Sequence, residues 1–248
     1  MFSGCVGAID GLCVKIRKPR LSETKFPAQY MNRKGFFAYN VQAIADADYI
    51  FRHVSIETSG STHDWTAWQH SGLFRELEER GLPGNFWIAG DDAYVCSEYL
   101  LTPFPGRNLG RKKDVFNYFQ SNCRIHVEQA FGILVRRWGI LWRKLECAMS
   151  RWKEIIVCCM KLHNICMMAR VSYTSPLGRM LKFGLSNTTG DENDKVDSVC
   201  PTFNNRSLQD VEENRHRSRE SSNLRVELTE VLFLGGYRRP GYSNYSVE

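Results

Sequence analysis

Residues 116–138 read FNYFQSNCRIHVEQAFGILVRRW. Phe116, Phe119, Cys123, Val127, Ala130, Leu134 and Trp138 recur every three or four positions, which predicts one long amphipathic helix with a face on the core. Glu128 lies beside that stripe, with Arg124 one turn before it and Phe131 one turn after. A carboxylate at the edge of a buried face needs a partner, because an unpaired buried charge is costly. Either an ion pair with Arg124 or a metal ion shared with other carboxylates meets that need. The helix alone favours the ion pair; the rest of the chain makes the case for the metal.

Working outward, residues 4–16 (GCVGAIDGLCVKI) read as a strand that is apolar on both faces, hence central in a sheet. Asp10 falls among Val6, Ala8, Leu12 and Val14, the least comfortable place for a carboxylate in the first half of the chain, and calls for a cation or a metal. A basic loop over 17–35 ends in Asn32-Arg33-Lys34-Gly35. Strands are expected at 36–44 and 50–58, joined by a turn at Asp46-Ala47-Asp48. Gly60-Ser61-Thr62-His63-Asp64 breaks the second strand, and one helix should run from there to about Arg80, closed by Gly81 and Pro83. NFWIAG at 85–90 is a short apolar strand that delivers Asp91 and Asp92 at its carboxyl end, where ligand-binding groups of α/β folds gather. Residues 95–113 read as a loop, and a second amphipathic helix as 151–170.

Composition bounds the class. The 248 residues carry 43% hydrophobic and 12% aromatic side chains, enough for a sizeable core. No apolar run is long enough to span a membrane, and the first residues show no secretory pattern. Nine cysteines without framework spacing point to a reducing, intracellular setting. The net charge of +6 suits a nucleic-acid partner without proving one. Its cations cluster at Lys15, Arg17, Lys18 and Arg20, at Arg107, Arg111, Lys112 and Lys113, and at Arg136, Arg137, Arg143 and Lys144. The sequence divides into a folded region over 1–170 and a polar, largely disordered tail over 171–248, with a short docking helix near 224–234.

Asp10, Asp91 and Glu128 thus sit on a central strand, at the end of a second strand and on a crossing helix, and one edge of the sheet could gather all three. Converging carboxylates repel unless a divalent cation neutralises them. Oxygen-only ligands suit magnesium or manganese, and two such ions about 3.5–4 Å apart can activate a water and stabilise a leaving oxygen on a phosphodiester. With 27 acidic residues, spacing alone is weak evidence, and the context of each acid must decide.

That context resembles the catalytic domain of PIF/Harbinger-type DDE transposases and endonucleases. The matching segments are GAIDG at 7–11, NRKGFFAYNVQAIADAD at 32–48, GSTHD at 60–64, AGDDAY at 89–94, LLTPF at 100–104, RIHVEQAFGILVRRW at 124–138 and KLHNI at 161–165. They keep the family's order over about two thirds of the chain. The resemblance implies an α/β, ribonuclease-H-like mixed sheet flanked by helices. It also implies a metal-dependent nuclease acting on DNA in the nucleus, with Asp10, Asp91 and Glu128 as catalytic and metal-binding acids. Asp64 matches a further family aspartate, as a fourth metal ligand or as a helix N-cap. Arg124 either orients Glu128 or meets a phosphate, while Arg33 and Lys34 are DNA-backbone candidates or plain surface charge. His163 and Asn164 read as a structural pair. Family members carry a helical DNA-binding region before the first strand, whereas Met1 stands nine residues before Asp10. The resemblance also implies DNA and a separate Myb-like DNA-binding protein as partners, with homo-oligomers also in view. The alternative is a catalytically silent, domesticated relative that binds DNA or protein.

Overall fold

A computed structural model describes residues 2–169 and 222–240. Strand β1 (Cys5–Lys15) is followed by β2 (Ala38–Ala45) and β3 (Phe51–Ser59), then helices α1 (Asp64–Gln69) and α2 (Gly72–Arg80). Strands β4 (Trp87–Ala89) and β5 (Leu100–Leu101) lead into α3 (Arg111–Arg137), α4 (Trp152–Met168) and α5 (Asn223–Leu234). The sheet order is β3-β2-β1-β4-β5. β1 pairs antiparallel with β2, and β2 with β3, while β4 joins β1 in parallel and β5 joins β4 in parallel. This is the mixed, helix-flanked sheet of the ribonuclease-H-like expectation.

The alternation of β1 explains the layers. Ala8 and Val14 belong to a core shared with Val115, Phe116, Cys123, Val127, Ala130, Phe131 and Leu134 of α3 and Trp152 and Ile156 of α4. Ile9 faces the other way, into a smaller core with Ile44, Trp68, Leu77, Ile88 and Tyr94 beneath α1 and α2. One central strand therefore serves two cores, which is why both its faces are apolar.

Two local expectations are corrected. The single helix after Asp64 is two helices, because the Ser71 hydroxyl accepts from Phe74 N–H at 3.1 Å and starts a new one. The expected loop at 95–113 holds β5, too short at two residues to show a periodicity, and the first turn of α3. That turn opens after Gly110 with Asp114 at its positive end. The long helix passes through Gly132 without ending and stops at Arg137, before Gly139 begins a 3-10 turn.

Helix α5 packs on the start of α3. Lys112 pairs with Glu230 at 2.8 Å and lies over the Phe233 ring, and Arg239 pairs with Asp114 at 3.1 Å. Glu98 accepts from the Ser222 hydroxyl and from the N–H groups of Asn223 and Leu224, so a carboxylate sits where the helix dipole is positive. Arg225 is buried, stacks on Phe104 and donates to Thr102 O at 3.4 Å. Most of the polar segment expected over 171–222 lies outside the described residues.

His163 and Asn164 do fasten α4 to the sheet. Asn164 accepts from Phe51 N–H at 2.9 Å and donates to Phe51 O at 2.8 Å, while His163 Nε2 meets Tyr49 O at 2.8 Å. Asn164→Ala strands both backbone groups of Phe51 at a half-buried position. We expect a loss of about 2–3 kcal/mol in a denaturant melt, against less than about 0.5 kcal/mol for Lys161→Ala on the exposed side of the same helix.

Candidate active site

Asp10 lies on the α3 side of the sheet, the side of Ala8 and Val14. In β4, Trp87 and Ala89 face that side as well, and the alternation carries Asp91 onto it. The parallel register pairs Ala8 with Ala89, so two residues further on Asp91, just past the end of β4, lies beside Asp10 of β1. β4 stops at Ala89, and the chain turns as Asp91 Oδ1 accepts from Ala93 N–H at 2.8 Å. Asp92, next along, is exposed.

Both carboxyls are strongly desolvated although each keeps some exposed surface. Desolvation, then the charges of Asp91 and Asp64, push Asp10 well above the usual carboxylate range; the Gly11 N–H at 2.8 Å and the Arg124 charge oppose this. Desolvation lifts Asp91 to about 6, against the pull of Arg124 and Ala93 N–H. Arg124 is thus the cation that faces both acids. Its guanidinium also pairs with Glu128 at 3.2 Å, one turn along α3. The ion pair foreseen for Glu128 is present, and Arg124 has a wider role than the spacing suggested.

Asp64 is the first residue of α1; His63 occupies the N-cap position, so the N-cap alternative for Asp64 is set aside. Its Oδ1 accepts from Asn40 Nδ2 at 3.0 Å and Gln42 Nε2 at 2.8 Å. Gln42 Oε1 in turn accepts from the buried Tyr94 hydroxyl at 2.6 Å. Gly11 permits this arrangement: a Cβ there would stand 2.1 Å from Asp64 Oδ1. Gly11 and Gln42 are register partners, which puts the Asp64 contact on the α1 side of β1, across the strand from Asp10. Arg33 contacts the His63 ring, and Lys34 lies close enough to the Cys13 thiol to act on it. The Asn32-to-Gly35 turn therefore borders the Asp64 side of the site.

Sequence reading did not find Asn40, Gln42, Tyr94 or Gln120. Gln120 is fully buried in the apolar stripe of α3 and donates to Gly90 O at 2.6 Å and Leu101 O at 3.0 Å, clamping the helix to the ends of β4 and β5 beside Asp91. The available signal was polar residues at positions where alternation or helical period demands apolar ones.

The donor set suits a hard divalent cation: carboxylate oxygens, two of them on one face and raised chiefly by desolvation, with Glu128 on the helix above. Among the described residues, no three His, Cys, Asp or Glu side chains converge closely enough to enclose an ion. Glu128 is turned to Arg124 instead, and with 37% of its side chain exposed it has room to change rotamer.

Comparison with known proteins follows the same residues. A model of the DDE superfamily endonuclease family matches residues 9–164. The chain is 27% identical over 167 residues to a protein of Rattus norvegicus named "Putative nuclease HARBI1", covering 65% of this chain and 46% of the relative. The Homo sapiens protein of that name is 26% identical over the same length. "Protein ALP1-like" of Arabidopsis thaliana is 27% identical over 177 residues, 65% of this chain and 42% of the relative. The chain thus spans less than half the length of these curated relatives. No solved structure matches it.

The raised Asp91 fixes a pH dependence. Between the unfolded value near 3.8 and the folded value of about 6, the native state holds the extra proton, so stability of the metal-free protein falls as pH rises through that window. The loss attributable to Asp91 is on the order of 3 kcal/mol. In EDTA, Asp91→Asn should melt higher than wild type at pH 7 and should converge with it near pH 4. Parallel melting curves across pH 4–7 would refute the raised Asp91.

Proposed function

The chain belongs to the DDE superfamily endonuclease family, and on that premise we propose that it is a divalent-metal-dependent endonuclease domain that cuts phosphodiester bonds in DNA. The observation that carries this reading is the placement of Asp10 and Asp91 on one sheet face, with Arg124 as their common counter-cation and Glu128 one turn beyond it. Asp10, Asp91 and Glu128 are the residues that would hold magnesium or manganese, with Asp64 as a fourth acid across β1. Two ions bound there supply Lewis-acid polarisation of a water and of the scissile phosphate.

The chain's own residues do the rest. Asp10 and Asp91 are the acids that would hold a cation in their ionised forms, sharing with it the neutralising role that Arg124 has in its absence. Arg124, released from Glu128, presents a planar fork of donors suited to phosphate oxygens. In this reading the Arg33–Lys34 turn, beside Asp64, meets the backbone of the same strand. Gln120 and the Asp91 turn hold the acids while charges move, because they are anchored to main-chain carbonyls and amides rather than to mobile side chains.

A second reading rests on the Arg124–Glu128 pair. If that pair persists in the presence of metal, the fold is a silent, domesticated relative that binds DNA or protein without cutting. The reading also places the protein in the nucleus, with a Myb-like DNA-binding protein and further copies of the chain as companions.

Supercoiled plasmid incubated with magnesium or manganese distinguishes the two. The endonuclease reading expects metal-dependent nicking by wild type and a drop of at least about 100-fold in Glu128→Ala and Asp10→Ala. Glu128→Ala should still fold, since its side chain is a third exposed. Nicking that survives in these variants, or a wild type inert in both metals, refutes the proposal.

A further inference from the structure

The net charge of the chain is carried by two short segments that the fold places side by side. Residues 15–25 (KIRKPRLSETK) and 143–151 (RKLECAMSR) hold eight Lys and Arg against two Glu, a balance of +6. The whole chain is also +6, so everything outside these segments is charge-neutral. They lie 118 or more positions apart in sequence. A parallel bridge joins Ile16 to Leu145, with Arg17 N–H donating to Leu145 O and Leu145 N–H to Lys15 O, both at 3.0 Å.

The two acids in the segments do not dilute the patch equally. Glu23 is a staple. It is ion-paired with Arg17 and accepts from the N–H groups of Arg20 at 2.9 Å and Met149 at 3.2 Å, and the Met149 bond joins one segment to the other. Arg17 Nε adds a bond to Cys147 O at 3.1 Å, and its guanidinium lies over Trp152. Arg17 and Glu23 thus cancel each other inside the seam. Glu146, paired with Lys144, is the other acid and is exposed. Lys15, Lys18, Arg20, Lys25, Arg143 and Arg151 remain on the exposed surface. Trp142, at the edge of the second segment, is 67% exposed, an unusual position for the largest aromatic side chain.

We propose that this seam, at the carboxyl end of β1, is a second DNA-backbone surface that holds the duplex flanking the candidate active site. The cations supply phosphate contacts, and Trp142 supplies an apolar face against sugar or an unstacked base. Ile16 is six residues beyond Asp10 on the same strand line, about 20 Å at the rise of a strand, or roughly six base pairs of duplex. One duplex can therefore reach both places. In the basic cluster that includes Arg111 and Lys112, those two are differently employed: they lie against Glu230 and Phe233 of α5. The surface rests on the proposed DNA substrate but needs no metal and no cleavage.

The test is equilibrium binding of a fluorescent 30-base-pair duplex in EDTA, as a function of salt. It compares the full chain, the Lys18→Ala/Arg20→Ala/Arg143→Ala variant, Trp142→Ala and Asp10→Asn. The triple variant should lose roughly 3 from the slope of log affinity against log salt and at least tenfold in affinity near 150 mM salt. Trp142→Ala should weaken binding with little change of slope, and Asp10→Asn should bind at least as well as wild type. Thermal melts verify that the surface variants fold. A triple variant with wild-type slope and affinity overturns the proposal, as does tighter binding of wild type to vesicles of anionic lipid than to the duplex. Because binding is read without metal, absence of plasmid nicking refutes the endonuclease reading alone, and unchanged binding refutes the seam alone.

Discussion

Two carboxylates on neighbouring strands of one sheet face repel each other, and the surrounding structure resists that repulsion. Asp10 and Asp91 are tethered through backbone N–H groups, of Gly11 and Ala93, which cannot swing away as a side-chain donor can. Arg124 gives partial relief as the cation that both acids feel. Its position comes from α3, whose apolar stripe is locked to the sheet by Val127, Cys123 and Ala130, and from Gln120, which grips the carbonyls at the ends of β4 and β5. The two acids are thus held close to one another by the core beneath them, in a geometry that does not relax to separate them.

The opposite face of β1 is handled by different chemistry. There the single acid, Asp64, is hydrogen-bonded by amide donors in a chain from Tyr94 through Gln42, with Asn40 alongside. The cost of burying these polar groups is offset because each satisfies another. Gly11 is common to both arrangements. Its N–H serves Asp10, and its missing side chain admits Asp64.

Much of this was legible in the sequence. Two-sided apolarity identified β1 as central, and helical periodicity identified α3. Asp10 and Glu128 stood out because each interrupted an apolar pattern. The motif contexts pointed to the endonuclease family that the chain does match. What stayed hidden depended on register and on distant contacts. Nothing local shows that Gln42 lies opposite Gly11, that Gln120 reaches Gly90, or that Leu145 lies beside Ile16. The split between α1 and α2 turned on one serine hydroxyl, and β5 was two residues long. Periodicity reports which face a residue belongs to; it does not report what that face meets.

The pairing of β1 also has a consequence in time. On one edge β1 meets β2, which follows after a loop of about twenty residues; on the other it meets β4, some 80 positions later. At a synthesis rate of roughly 5–20 residues per second, the ribosome needs about 4–16 seconds to deliver that second partner. Until then a strand with apolar side chains on both faces presents an open edge, the kind of template on which chains add to one another. The half of the sheet that bears Asp91 is therefore completed last, and the nascent chain is most exposed to misassociation before the acids of the site have met.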